Sequence, residues 1–381
     1  MKNNIHLLFA LSCIFGLTFT ACKKDEAILS LNTISTSVSN IDVSGSTSET
    51  LGKLLFYDPI LSGNKDVACA SCHHPSLGYS DGRDLSIGVN ATGLGTNRHF
   101  LSPNTFSFTK RKSMTVLNTA FNGMDEKGNY NANNAPMFWD SRAKSLEEQA
   151  LGPIASDAEM RGNVYLEKVA LDSVVARLKN IPEYRALFTN VFGTTQPITA
   201  MNISKAIASF ERTLTAMNSP FDRYKRGETT AMNAQQIQGM NEFQTAGCAG
   251  CHTGNMFSDY KMHVLSVPDN AKSLSSDNGN GTYAFRTASL RSTRLTAPFM
   301  HSGVFQTLND VVEFYDKIAG GNSQNPKVSS RQIDPLIRNV RIRNNQQVAL
   351  VAFINALTDD NFDKTIPISV PSKLNVGGNI K

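Results

Sequence analysis

Cys69-Ala70-Ser71-Cys72-His73 in the first half of the chain recurs in form as Cys248-Ala249-Gly250-Cys251-His252 in the second. C-x-x-C-H is the attachment pattern of c-type haem. Two thiols add across the vinyl groups of the porphyrin, and the following His sits under the ring and ligates the iron. Wherever the pattern stands, the chain has to close around a large flat cofactor. A zinc site and a redox C-x-x-C are the competing readings. Zinc ribbons set their Cys pairs roughly 15–20 residues apart, and these pairs are far more distant. Neither alternative needs a His directly after both pairs. With 7 His in 381 residues, chance would supply that arrangement roughly once in a few thousand, so haem attachment is the stronger reading.

All six cysteines have a place in this scheme. Four belong to the two motifs and Cys13 lies in an apolar N-terminal run. Cys22 follows Phe19-Thr20-Ala21, a small-residue cleavage site after a basic start at Lys2. The run is short and polar residues follow at once, so it reads as a secretory signal and not a membrane span. Cleavage before Cys22 would leave a lipidated cysteine, with an ordinary signal carrying an incidental Cys as the alternative. Lys23-Lys24-Asp25-Glu26 resembles a surface-export signal of some lipoproteins. Residues 27–46 are rich in Ser, Thr and Asn and read as a tether. The net charge of +5 is small and not gathered in runs, which argues against nucleic acid as a partner.

A length of 381 residues suggests two domains. Leu51 to Ser62 reads as a short amphipathic helix stopped by Asp58-Pro59. Residues 74–113 are a long Gly-, Ser- and Asn-rich stretch, read as a loop folded around a haem face; it carries His74 and His99 as candidate ligands. Short helices are expected at 114–122 and 144–151. Longer ones follow at 163–180 (ended by Pro182), 198–217, 233–246, 307–318 and 346–357. The region 267–282 is polar loop. Strand patterns are scarce, so the expected fold is mainly α, with loops wrapped around two haems.

From Leu51 to Thr358 the chain resembles the dihaem bacterial cytochrome c peroxidase and MauG superfamily. The resemblance rests on an ordered set of stretches. Gly52-Lys53-Leu54-Leu55-Phe56-Tyr57-Asp58 precedes the first motif, and Thr115-Val116-Leu117-Asn118 follows it. Next come Phe138-Trp139-Asp140-Ser141-Arg142-Ala143 and Leu146 to Ile154, closing on Glu159-Met160. Phe210-Glu211-Arg212-Thr213-Leu214, Ser219 to Tyr224, and Thr296-Ala297-Pro298-Phe299-Met300-His301 complete it.

The resemblance implies two cytochrome c-like domains, each around one covalently attached c-type haem. After a signal peptide at 1–21 and a lipidated tether at 22–46, a peroxidatic domain would span 47–218 and an electron-transfer domain 219–381. Haem one, on Cys69, Cys72 and His73, would meet hydrogen peroxide; haem two, on Cys248, Cys251 and His252, would relay electrons. Trp139 matches the residue between the haems, Glu159 the distal glutamate that moves a proton between the peroxide oxygens, and Gln149 and Pro153 the same pocket. Three positions depart from the peroxidase pattern. Val89 stands where reductively activated members carry a distal His, which would leave haem one open, as in MauG. Tyr315 stands where many peroxidases supply an axial Met to haem two, as MauG also has it, with Met300 as the alternative ligand. Arg111-Lys112 replaces the Arg-Asn of the calcium site, and an ammonium in the cation's place argues against calcium.

The expected activity is reduction of hydrogen peroxide to water by an exported, periplasmic or cell-surface lipoprotein. Its electrons would come from a small c-type cytochrome or copper protein. The alternatives are a MauG-like enzyme that oxidises a partner protein and a non-catalytic dihaem electron-transfer cytochrome. The membrane would be touched only through the lipid anchor, and a homodimer is among the assemblies admitted.

Overall fold

Helix α1 (Ser48–Tyr57) starts at Thr47, whose side chain accepts from Thr50 N at 3.2 Å. Leu51, Leu54 and Leu55 recur at helical spacing and are buried, with Phe56 and Tyr57 beyond them. Burying a side chain of this size is worth about 1.5–3 kcal/mol. Asp58 stops the helix and caps a 3-10 turn (Pro59–Leu61) by accepting from Ile60 N at 2.9 Å. The structure, a computed structural model, describes residues 45–124, 129, 131, 134–343 and 345–381. The expected signal peptide, Cys13, the lipidation site Cys22 and the tether up to residue 44 lie outside the described residues.

The protein is mainly helical. Helices α2 (Cys69–Cys72), α3 (Leu146–Ala155), α4 (Glu167–Lys179), α5 (Pro182–Phe192) and α6 (Ala200–Thr213) follow α1. Helices α7 (Pro220–Lys225), α8 (Ala234–Thr245), α9 (Leu308–Ala319) and α10 (Gln347–Ala356) make the second half. Short antiparallel pairs join β1 (Ala91–Thr92) to β2 (His99–Phe100) and β3 (Met262–Val264) to β4 (Ala284–Arg286), with His263 opposite Phe285. No helix among the described residues is long and apolar enough to cross a membrane.

One packing unit occurs twice. Ahead of the first motif, α1 crosses α6 so closely that a Cβ on Gly52 would lie 1.9 Å from Ala206 O and 2.9 Å from Phe210 Cβ. Ahead of the second, α8 crosses α10, and a Cβ on Gly239 would lie 1.8 Å from Ala349 O and 2.9 Å from Phe353 Cβ. Glycine on one helix and Ala-x-x-x-Phe on the other let the backbones meet, and the phenylalanine fills the side of the crossing. Each crossing anchors its own core. Leu51, Leu55, Phe56, Ile207 and Phe210 belong to the first, and Phe243, Phe257, Leu350 and Phe353 to the second.

Several elements differ from the sequence expectations, the unexpected short helix α7 (Pro220–Lys225) among them. Pro182 opens helix α5 as well as closing the run before it. Its fixed φ and missing N–H suit a first helical turn, and Tyr184, Leu187 and Phe188 are buried behind it. Residues 114–122 form only a 3-10 turn (Thr119–Phe121), because Asn118 takes φ 63° and breaks any longer helix. Asp157–Arg161 is a π turn, a form that often marks a functional position; Glu159 sits in it.

The C-terminal segment returns to the first core. Phe362 and Val370 are buried there. Ser372 Oγ donates to Asp58 at 2.6 Å, and Gly377 N to Tyr57 O at 2.7 Å. Gly377 O accepts from the Ser71 hydroxyl at 2.7 Å, inside the first motif itself. Gly378 bridges to Val67, and Asn379 O accepts from the buried Arg98 at 3.2 Å.

Candidate cofactor and catalytic site

The first motif is the short helix α2. Ala68 N donates to Ser71 Oγ at 3.0 Å, and His73 N closes the turn on Cys69 O at 2.9 Å. The second motif is a 3-10 turn (Cys248–Gly250) entered through Gly247 at φ 86°, with His252 N on Cys248 O at 3.1 Å. Both histidines are held the same way. His73 Nδ1 lies 3.2 Å from Tyr79 O and 3.2 Å from Ser113 Oγ, and His252 Nδ1 lies 2.9 Å from Phe257 O. A backbone carbonyl that accepts from Nδ1–H fixes the tautomer that leaves the Nε2 lone pair for a metal. Burial pushes both imidazoles down, towards the neutral form that ligates.

All four motif cysteines and both histidines line one cavity of about 640 Å³. Two Cys pairs and two carbonyl-oriented histidines, open to a cavity walled by Leu117, Phe138, Ile207, Val312 and Leu350, fit two c-type haems.

The same cavity receives the side chains that the resemblance singled out. Trp139 lines it, and its indole N–H donates to Lys112 O at 3.0 Å. Gln149 and Pro153 reach it from α3, and Glu159 from the π turn. Burial pushes the Glu159 carboxyl up, against the pull of the Arg142 guanidinium. Gly88 fixes how that turn sits, since a Cβ there would lie 2.2 Å from both Ala158 O and Glu159 O. Tyr315 and Met300 both line the cavity, and burial pushes the Tyr315 phenol up. Other candidates are placed elsewhere. Val89 is fully buried in the first core beside Gly162 and is not on the cavity wall. His74 caps the 3-10 turn Pro75–Leu77, and His99 bonds Asn97 O on the surface. Of the long loop 74–113, Ser86 and the run from Thr109 to Ser113 line the cavity.

That run ties the site together. Ser113 Oγ donates to Cys72 O at 2.9 Å. Lys112 N donates to His301 O at 2.8 Å, and Lys112 Nζ to Ser80 Oγ at 2.9 Å. Burial pushes the Lys112 ammonium down to about 8, partly offset by Asp81. Arg111 bridges the buried carboxylates of Asp140 and Asp277.

Sequence reasoning missed three residues. Glu211, on α6, is 4% exposed and lines the cavity with one carboxyl oxygen unbonded; burial pushes it up to about 8. His301 stacks on Phe285 with centroids 3.6 Å apart, lies edge-on to Trp139, and is driven by burial down to about 4. His263 stands between Asp334 at 2.7 Å and Asp259 at 3.1 Å. A hydrogen bond to the Cys251 sulfur and the two carboxylates push it up against burial, and with Cys251 held in a thioether only the carboxylates remain to do so. Cys251, Asp259 and His263 are close enough to hold a metal ion, but a thioether at Cys251 takes that sulfur out of such a set. A polar residue on an otherwise apolar stripe was the one signal available, and only Glu211 showed it, four residues after Ile207.

A family model described as di-haem cytochrome c peroxidase matches residues 46–230. The chain is 35% identical over 328 residues to the methylamine utilization protein MauG of Methylorubrum extorquens, covering 83% of this chain and 80% of that one. It is also 35% identical over 346 residues to the cytochrome-c peroxidase IdrP1 of Pseudomonas sp. strain SCT, covering 81% and 80%. Among solved structures, a MauG-like protein associated with microbial copper homeostasis superposes with a TM-score of 0.64 at 25% identity, over 82% of this chain and 89% of that one.

Proposed function

Since the chain belongs to the di-haem cytochrome c peroxidase family and is an oxidoreductase with two c-type haems, we propose that it reduces hydrogen peroxide to water. Each turnover consumes two electrons and two protons and yields two waters. The electrons come from a small c-type cytochrome or copper protein. The observation that carries this reading is the shared cavity, where a burial-raised Glu159 and Gln149 meet the wall that holds Cys69, Cys72 and His73.

Haem, when bound, supplies the redox centres that accept electrons and cleave the O–O bond. The chain's own groups do the rest. Tyr79 O and Ser113 hold the His73 ring. Glu159 takes a proton from one peroxide oxygen and returns it to the other, a role that a carboxyl raised by burial suits. Gln149 shares that pocket. Trp139, anchored on Lys112 O, lies on the electron route between domains at 47–218 and 219–381. Tyr315, or Met300 in its place, would help hold the second haem from the cavity wall, and the buried Lys112 ammonium would stand in for calcium. Export, lipidation at Cys22 and a periplasmic or cell-surface location complete the reading.

Oxidation of a partner protein's side chains is the second reading, and Val89 favours it: the resemblance matches it to the displaceable ligand, and its side chain is apolar, fully buried and away from the cavity wall, so it offers the first haem no sixth ligand. Peroxide turnover with ascorbate and a phenylenediamine mediator tests the first reading. The haem-loaded protein should far outpace a haem peptide, and equal rates would sink it. Electron paramagnetic resonance of the oxidised protein should show one high-spin haem, the consequence of Val89; two low-spin haems would reinstate a sixth ligand.

A further inference from the structure

The second haem site has one wall that is also outer surface. The 3-10 turn Pro335–Asn339 and the residues after it form a strap packed against the residues just before the second motif. Arg341 N donates to Ala246 O at 3.0 Å, and a Cβ on Gly247 would lie 2.8 Å from Asn339 O. The strap thus lies directly on the residue before Cys248. Leu336, Ile337, Val340 and Ile342 line the cavity with Cys248, Cys251 and His252. Leu336 is also 40% exposed, so the same side chain meets both the cavity and solvent.

The outward residues of the strap are cationic. Arg338, Arg341 and Arg343 are exposed, and Lys327 and Arg331 are exposed just upstream. From 327 to 343 these five cations face one acid, Asp334. Asp334 is engaged by His263 and by Leu336 N. Glu242, one turn before Ala246, accepts from Gln238. Among the described residues, none of the five cations has a carboxylate partner. Arg341 is laid along the strap by bonds to Arg338 O and Val340 O.

We propose that this strap is the docking surface for the electron donor, and that the donor is an acidic redox protein presenting an apolar centre ringed by carboxylates. This rests on the second haem being the electron-entry group. An apolar contact ringed by charge suits a transient redox encounter. The ring steers the partner and raises the association rate by about 10- to 1000-fold. The contact over Leu336 brings the two cofactors close. One electron crosses, and no bond or proton moves.

Electron exchange in the downhill direction tests it without peroxide. The full-length dihaem protein, reduced with dithionite freed of excess, is mixed with oxidised plastocyanin, an acidic copper protein, or with oxidised mitochondrial cytochrome c, a basic one. In each case one electron leaves the protein and reduces Cu(II) to Cu(I), or Fe(III) to Fe(II). At low ionic strength plastocyanin should react at least ~10-fold faster, with the gap closing near 0.5 M salt as screening shortens. The R338E/R341E/R343E variant should slow plastocyanin ~10-fold or more and speed the basic cytochrome, and R338Q/R341Q/R343Q should fall between. Unchanged haem spectra and mediator-driven turnover in both variants keep folding out of the result. Equal rates for the two acceptors, or an unmoved rate in the charge-reversed variant, overturn the proposal. So does a variant that loses binding to phosphatidylglycerol vesicles while its exchange rates stay put, because the strap would then serve a lipid surface. If mediator-driven peroxide turnover fails while charge-dependent exchange persists, the peroxidase reading falls and the docking surface stands.

Discussion

Glu159 and Glu211 are two carboxyls in one cavity, and their surroundings assign them different work. Glu159 stands in the π turn against the backbone of Gly88, with Arg142 moderating the upward push of burial. Glu159→Gln keeps the shape and removes the proton acceptor. Peroxide turnover should fall about 100-fold or more with haem content unchanged, and a rate close to that of the unaltered protein would take Glu159 out of the reaction. Glu211 is raised by burial from 4.5 to about 8. Between those values the unfolded chain has released a proton that the folded chain keeps. Stability therefore falls as pH rises through that window, by on the order of 1 kcal/mol per pH unit, and levels off above it. Glu211→Gln should flatten the decline of melting temperature between pH 5 and 8, and an unaltered slope would show that Glu211 ionises normally. The two residues also differ in legibility. Glu159 was found through a family pattern, because nothing local sets it apart from a surface Glu. Glu211 was written into the apolar stripe of Ile203, Ile207, Phe210 and Leu214, but a stripe does not say whether a break in it faces solvent or a cavity.

Among the elements, the two crossings of α1 with α6 and of α8 with α10 carry the haem-bearing turns. In both, the close approach falls on a backbone carbonyl, 1.9 Å from the Cβ that Gly52 lacks and 1.8 Å from the one that Gly239 lacks. A carbonyl inside a helix cannot swing aside as a side-chain tip can. Gly239→Ala should cost at least the ~1–3 kcal/mol of ordinary overpacking, and Gly52→Ala should cost as much in the other half. Thermal unfolding followed at the haem absorption bands should show Gly239→Ala loosening haem two first and Gly52→Ala haem one. A uniform loss in both variants would mean that the halves do not unfold separately. The helices themselves were readable from their apolar spacing, to within a few residues at most ends. Helix α5 was not, since Pro182 reads as a stop from one side and as a first turn from the other. The π turn at 157–161 and the bend at Asn118 escaped because tertiary packing, not propensity, selects them.

Across the whole molecule, the longest-range ties run from the C-terminal segment to the first motif. Deleting residues 371–381 removes the bonds to Asp58, Tyr57, Ser71, Asp66 and Arg98. That deletion should lower the melting temperature of haem one by several degrees, following loss of a few hydrogen bonds and Val376 packing, and leave haem two in place. Equal stability of the first site with and without the segment would show the ties to be incidental. No periodicity announces such pairing. The segment is short, polar in places and irregular, and its partners lie in another part of the sequence. The clasp also has a bearing on time. Gly377 O holds Ser71 from 306 residues further along the chain. A polypeptide that emerges from its N-terminus presents Cys69 and Cys72 long before Gly377 exists to cover them. Both thioether pairs thus have an interval for assembly, the first the longer, because the strap that lies on Gly247 is also made after Cys248, and the clasp at Gly377 closes over finished work.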